Sequence, residues 1–336
     1  MIRSTGPLGL TAIGALLLSL TACTAGSEVD TSQPTTTREL VIVQGPDAQD
    51  QALGHAYRQM LDDVGIEASL AQAADDPVAA VLAGHADVTV AGSGELLAAL
   101  EKLPSSADES SPAADSPAAD SPTGTPADSG RPEATPGATV LDAAQTKDTL
   151  HALELNEFAV LDSAEAQSTG TLVVTAATSV GEQLTNVQQL SALCSELEFG
   201  IVADEAAQLT DELATILDCV PAKVIELTAP NARGVLPVIT DAVQVQATTV
   251  DNAGIADNAL VVLEGADVLF APQTITPLIT TREVGQDAVK ALNKLSGALK
   301  QEDLLELDRM VTGRDAVEPA RAATDWLAEK DMLDAG

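Results

Sequence analysis

The sequence predicts an α/β protein built on largely parallel sheets. Three observations carry that prediction. Short β-branched runs alternate with stretches whose apolar residues recur every three or four positions, the pattern of strand–helix–strand units. One internal stretch breaks the alternation completely. Aromatic content is only 1% within a hydrophobic fraction of 45%, so alanine, valine and leucine must build the core.

The elements follow in order. Residues 38–44 form a β-branched run that Gly45-Pro46-Asp47 turns. A helix is expected next, with Leu53, Tyr57, Met60, Leu61 and Val64 on one stripe and Gly65 as its stop. Asp76-Pro77 is an N-cap and first-turn pair, opening a helix that ends at Gly84. Residues 86–91 read as a strand, and Gly92-Ser93-Gly94 leads into another helix ending near Leu103. Beyond the break, strands are expected at 158–161, 171–175, 199–202, 224–227, 242–247, 260–263 and 274–280. Helical stretches fall at 187–193, 206–217 and 235–240, and then at 288–299, 302–310 and 317–330.

The break is residues 104–139. It holds seven of the seventeen prolines, repeats Ser-Pro-Ala-Ala-Asp in tandem and has no aromatic or large aliphatic residue. Such a composition cannot bury enough surface to offset ordering entropy, so a disordered insert is expected.

Residues 1–22 read as an address. Arg3 precedes an apolar run from Leu8 to Leu20, the length of a secretory signal core and too short for a comfortable membrane span. The run ends in Leu20-Thr21-Ala22-Cys23, which resembles a bacterial lipobox, with Cys23 as the lipidated residue and 23–37 as a tether. Two chains or more give stable membrane anchoring where one is marginal. The expected location is therefore outside the cytoplasm, lipid-anchored to the cell membrane. Cys194 and Cys219 then remain as an even pair in an oxidising compartment, either bridged or as two buried thiols.

Charge excludes several classes. Lys and Arg number 16 against 51 Asp and Glu, a formal net charge of −35. Nucleic-acid binders need a basic face with stacking aromatics, so no nucleic-acid partner is expected. No nucleophile elbow, phosphate loop or credibly spaced Cys/His pair is present, and the chain is not expected to be an enzyme or to carry a cofactor. Three histidines and three cysteines leave no metal cluster, and His85 beside Asp87 makes a poor site.

Four segments together resemble the substrate-binding lipoproteins of quaternary-amine ABC importers, which take glycine betaine, choline or carnitine. They are Val43 to Gln51, Gly84-His-Ala-Asp87-Val-Thr-Val-Ala-Gly-Ser93-Gly94, and Ala164 to Thr175. The fourth comprises Leu260-Val-Val-Leu-Glu264, Leu269-Phe-Ala-Pro-Gln273 and Thr276-Pro-Leu278, and Asp325 to Leu333 resembles the family's closing helix. The resemblance implies a two-lobed periplasmic-binding-protein clamp of type II, with two crossovers between lobes. Mapped here, lobe one is 38–103 plus 140–168 and 250–336, and lobe two is 169–249. It also implies a ligand in the cleft, an ABC permease as partner, and no chemistry.

The departures concern the ligand. A quaternary ammonium donates no hydrogen bond, so its receptors surround it with aromatic faces. Where the family carries rings, this chain has Ala48, Thr89, Gly92 and Gly170. Trp326, Tyr57, Phe270 and Phe199 read as core. The expected cleft lining is small and polar: Gln49, Asp50, Thr89, Gly92, Ser93, Thr169, Gly170, Thr249 and Asp251, with Ser168, Thr248 and Asn252 nearby. Two functions follow. One is a solute-binding lipoprotein whose ligand has changed to a small polar or cationic solute. The other is a non-transport surface lipoprotein that uses the same fold as a scaffold or partner-binding module.

Overall fold

The computed structural model describes residues 38–103, 141–228 and 234–333. The expected signal peptide, tether, lipidation residue Cys23 and the 104–139 insert lie outside the described residues.

Among the described residues, ten strands make two sheets. In chain order they are β1 (Leu40–Val43), β2 (Ala68–Leu70), β3 (Val88–Gly92), β4 (Phe158–Val160), β5 (Gly170–Val174), β6 (Glu198–Val202), β7 (Lys223–Leu227), β8 (Val245–Thr249), β9 (Val261–Val262) and β10 (Ile275–Thr280). The first six helices are α1 (Ala48–Asp63), α2 (Pro77–Leu82), α3 (Ser93–Leu100), α4 (Ala143–Ala152), α5 (Ala176–Glu182) and α6 (Leu190–Leu193). The others are α7 (Ala206–Leu217), α8 (Leu236–Ile239), α9 (Gly254–Asp257), α10 (Gln286–Ala298), α11 (Gln301–Thr312) and α12 (Pro319–Glu329).

The first sheet runs β2-β1-β3-β10-β4 and the second β7-β6-β8-β5-β9. Both follow one plan. Three neighbouring strands are parallel, and the strand beside them is antiparallel and arrives directly from a passage between the sheets. In the first sheet that arriving strand is β10, and in the second it is β5. The chain thus crosses between lobes twice, at 164–169 and at 270–274, where Gln167 and Thr274 form an antiparallel bridge. The second crossing falls later than the sequence suggested. The sequence places 250–336 in lobe one, yet Val261–Val262 pairs with β5 in the second sheet, and Leu263, Ala266 and Leu269 pack into that lobe's core.

Alternation along each strand sorts the cores. Leu40 and Ile42 pack with α1 and the C-terminal helices on one face, while Val41 and Val43 pack with α2, α3 and α4 on the other. In the second lobe Leu172 and Val174 join one cluster and Val173 the opposite one. The few large rings sit where the alanine-rich core needs volume. Tyr57, Phe199 and Trp326 are buried, and the Tyr57 hydroxyl lies 2.9 Å from Ser296 Oγ. Asp76 caps α2 by accepting the Ala79 amide at 2.7 Å, with Pro77 in the first turn. Gly65 and Gly84 end their helices with φ of 76° and 74°, a region glycine enters without a Cβ clash.

Lobe two carries a disulfide between Cys194 and Cys219, with Cα atoms 5.3 Å apart. It ties the turn after α6 to the loop after α7, within that lobe's buried cluster. Lobe one is closed instead by Asp303, on the first turn of α11. Its carboxylate accepts the Lys300 amide at 2.8 Å and the Trp326 indole N–H at 3.2 Å, and pairs with Lys330 at 2.6 Å. Burial alone would push this carboxyl up, but those three donors hold it below the ordinary aspartate value.

Candidate functional site

In open α/β sheets, ligands bind beyond the carboxyl ends of the parallel strands, where the strand order reverses. In lobe one that place is the end of β3, where Gly92 passes directly into α3 and β10 returns alongside. The two crossover segments meet there. Ser168 donates its amide to the Gln273 carbonyl at 2.9 Å, and the Gln273 amide donates to Thr169 Oγ at 2.9 Å. Ser93 completes the junction: its hydroxyl donates to the Pro272 carbonyl and accepts the Thr274 amide, both at 3.1 Å.

Glycines allow this close approach. A Cβ on Gly92 would collide with the Gln273 side chain, whose Cδ would lie only 2.9 Å away. One on Gly94 would lie 2.8 Å from Gln273 Nε2 and 3.1 Å from the Pro272 carbonyl. Gln273 therefore lies across the start of α3, and its Oε1 accepts the Glu95 amide at 3.1 Å. At Gly170 the neighbour is a ring, since a Cβ there would meet Phe270, with Cε1 at 2.7 Å. Phe270 is half-buried, packing against the core of lobe two with its ring over Gly170, so its expected assignment to the core holds only in part.

The remaining expected residues divide by side-chain partner. Gln49 and Thr89 turn inward. Gln49 is buried and donates to the Leu304 carbonyl of α11 at 3.0 Å; Thr89 is fully buried and donates to the Val43 carbonyl at 2.9 Å. Asp50 is half-buried in the first turn of α1, its carboxylate against Gly45. Gly170 pairs with Thr249 across β5 and β8, and Asp251, buried just beyond, accepts the Ser168 hydroxyl at 3.0 Å. The junction thus brings together Gly92, Ser93, Thr169, Gly170, Thr249 and Asp251. Sequence reasoning missed Gln273 as a member of this junction. The only cue available was a glutamine between Pro272 and Thr274 in a segment that resembles the family.

The electrostatics of the junction are acidic. The Glu95 carboxyl is raised above the ordinary glutamate value, first because surrounding protein removes water from it and then because Asp76 and Asp50 repel its charge. A hydrogen bond from the Gly92 backbone opposes that rise. Among the described residues, no group of three His, Cys, Asp or Glu is placed to hold a metal ion. An apolar groove of about 260 Å³ lies elsewhere on lobe two, between β7 and α8, lined by Ile225, Leu227, Leu236 and Val243 among others. It shares no lining residue with the junction.

A two-lobed α/β clamp, crossed twice and with its candidate site where the crossovers meet, defines the type II periplasmic-binding fold. Comparison narrows the class. Residues 38–329 match the OpuAC family, the substrate-binding domain of ABC-type glycine betaine transport systems, and the chain belongs to that family. It is a family of transport receptors rather than of enzymes. Among solved structures, a glycine betaine/carnitine/choline ABC transporter protein is 16% identical, with a TM-score of 0.63 over 89% of this chain and 100% of its own. Apo YehZ from Escherichia coli is 17% identical, with a TM-score of 0.57 over 88% and 99%. An ABC-transporter choline-binding protein in complex with choline is 14% identical, with a TM-score of 0.59 over 89% and 91%. These likenesses speak for the fold. A sequence search of curated proteins found no match.

Proposed function

We propose that this chain is the extracytoplasmic receptor of an ABC importer, anchored through lipidated Cys23, and that it delivers a donor-bearing cation to its permease. Family membership supports the transport role. The signal-like run and the Leu20-Thr-Ala-Cys23 ending support export and anchoring.

The ligand class rests on one observation. The wall at Gly92 is covered by a glutamine side chain and that at Gly170 by a single phenyl ring, in place of several aromatic faces. One well-placed ring around a desolvated cation is worth about 2 kcal/mol. Three missing rings therefore remove about 6 kcal/mol from a quaternary ammonium, on the order of ten-thousandfold in affinity. Carboxylates such as Asp50, Asp251 and Glu95 attract a cation without rings. They favour primary amines and guanidinium groups, which return hydrogen bonds to them.

Calorimetry on refolded, ligand-free mature protein tests this, with spermidine, arginine, glycine betaine and choline at one salt concentration. Spermidine or arginine is expected to bind at least tenfold tighter than betaine. Micromolar betaine or choline binding would overturn the ligand assignment. A second reading, a scaffold lipoprotein with no solute, is favoured by the filling of the junction with the chain's own side chains. Absence of binding to all four compounds would select it. Cys23→Ala is expected to release the protein from membranes or leave it unprocessed; unchanged fractionation and maturation would refute anchoring.

A further inference from the structure

We propose that Asp308 and Arg309 of α11 lock the two lobes in one orientation without any ligand. The lock sets how often the lobes part, and so how often a solute can enter or leave the cleft. Its bearing on solute entry rests on the receptor reading above; the lock itself does not.

Each side of the contact travels with its own lobe. Helix α11 belongs to lobe one, because Leu304, Leu307 and Val311 lie in the core with Tyr57 and Trp326. The stretch after β8 belongs to lobe two: Ile255 and Leu260 pack against the buried cluster of Val173, Val235, Val238 and Val243. Gly254 lets that cluster come close, since a Cβ there would lie 2.8 Å from Val235 Cγ2. Across the boundary the Asp308 carboxylate accepts the Ala253 amide at 2.8 Å, and both residues are buried. Arg309 then forks onto Asp257, with Nε at 3.1 Å and Nη2 at 2.9 Å from its two carboxylate oxygens. Charge-assisted and bidentate contacts of this kind are both strong and particular about orientation.

The same helix also holds the hinge. At its start, Gln301 accepts the Gln167 amide at 2.9 Å and donates to the Gln167 carbonyl at 3.1 Å, which fixes it to the first crossover. Asp308 follows two turns later, about 10 Å along the helix. A rotation of about 10° about the crossover therefore displaces the Asp308 contact by about 2 Å, beyond the reach of a hydrogen bond. Parting the lobes separates a buried carboxylate from a buried amide, which is unfavourable unless water reaches both. The Arg309–Asp257 pair is exposed, so it contributes orientation more than energy.

Distances between nitroxide labels in the ligand-free full mature chain test the lock. Cys23→Ala leaves only added cysteines to label, since Cys194 and Cys219 are bridged. One pair is Val180→Cys in lobe two with Lys290→Cys in lobe one, both at exposed helix positions. Thr215→Cys with Arg321→Cys is a second pair, for a rotation that leaves the first distance unchanged. The lobes with Asp308 and Arg309 intact are expected to give one narrow distance distribution. Asp308→Ala combined with Arg309→Ala is expected to widen it about twofold or to add a second distance. Asp257→Lys sets like charge against Arg309 from an exposed position and should widen it in the same sense; it decides alone if the double variant does not fold. Widening by either variant supports the lock. Distributions that neither variant changes, in both label pairs, would overturn the proposal, as would a distribution already broad before any change at 257, 308 or 309. Since no solute is added, failure of the lock leaves the receptor reading to the calorimetry above.

Discussion

Replacing Asp303 with alanine is expected to cost lobe one about 3 kcal/mol, a large share of the roughly 5–15 kcal/mol that keeps a domain folded. The magnitude comes from the three donors that the carboxylate serves. Trp326 is 1% exposed, and its indole N–H would be left buried without an acceptor, which costs about 1–3 kcal/mol. The Lys300 amide at the start of α11 would lose its cap, worth about 1 kcal/mol. The Lys330 ammonium is a third exposed and can return to water, so the ion pair itself adds about 0–1 kcal/mol. Asp303→Asn keeps one acceptor oxygen and should lose about half as much.

Urea unfolding followed by tryptophan fluorescence suits the test, because Trp326 is the chain's one tryptophan and reports on this contact directly. The pH dependence has a definite sign. The Asp303 carboxyl is held below its ordinary value, so the contribution is present above about pH 4 and is lost as pH falls through the depressed folded value. The gap between native protein and Asp303→Ala should therefore narrow in acid. A gap under about 0.5 kcal/mol at pH 7, or one that stays constant down to about pH 2, would refute the reasoning.

Other outcomes follow from lobe two and from the junction. Reducing the Cys194–Cys219 bridge, which closes a separation of 25 residues, should lower stability by about 3 kcal/mol in the chain-entropy account. Equal urea midpoints with and without reductant would show that the bridge does not constrain the unfolded chain. Gly170→Ala drives a methyl into the Phe270 ring and should cost about 1–3 kcal/mol, and a second change, Phe270→Leu, should recover part of it. A Gly170→Ala protein as stable as the original would mean that the ring moves aside freely.

The readable part of the fold was the part written in local periodicity. Helices α1, α7, α10, α11 and α12 carry full apolar stripes, and Asp76-Pro77 announced α2 with its cap and first turn together. Helix α4 is not legible in the periodicity, because its sequence, Ala-Ala-Gln-Thr-Lys-Asp-Thr-Leu-His-Ala, buries only Thr146 and Leu150 and shows no stripe. The reciprocal cap of Asp142 and Gln145 was the signal that could have found it. The second crossover is hidden from local patterns for a different reason. Strand β9 is two residues long, and what holds it in lobe two is the free edge of β5, a long-range pairing that local patterns do not encode. At the site, the glycines at 92 and 170 were visible as missing rings. The side chains that fill their space, Gln273 and Phe270, lie far along the chain, and only the folded crossovers bring them together.

The way each sheet receives its antiparallel strand also sets an order of assembly. Among the described residues, the five strands of lobe two lie in one continuous stretch of sequence, from Gly170 to Val262, so that lobe can be completed as soon as this stretch is available. Lobe one cannot. Its β4 pairs with β10 alone, and β10 is separated from β3 and β4 by the whole of lobe two. A chain delivered N-terminus first therefore presents β1 to β4 long before the strand that joins β3 to β4 arrives, with edges open in the meantime. Its surplus of negative charge acts during that interval, repelling other chains whose edges are equally unfinished. The same acidity that shapes the junction in the folded protein thus guards the slower lobe while it waits for its last strand.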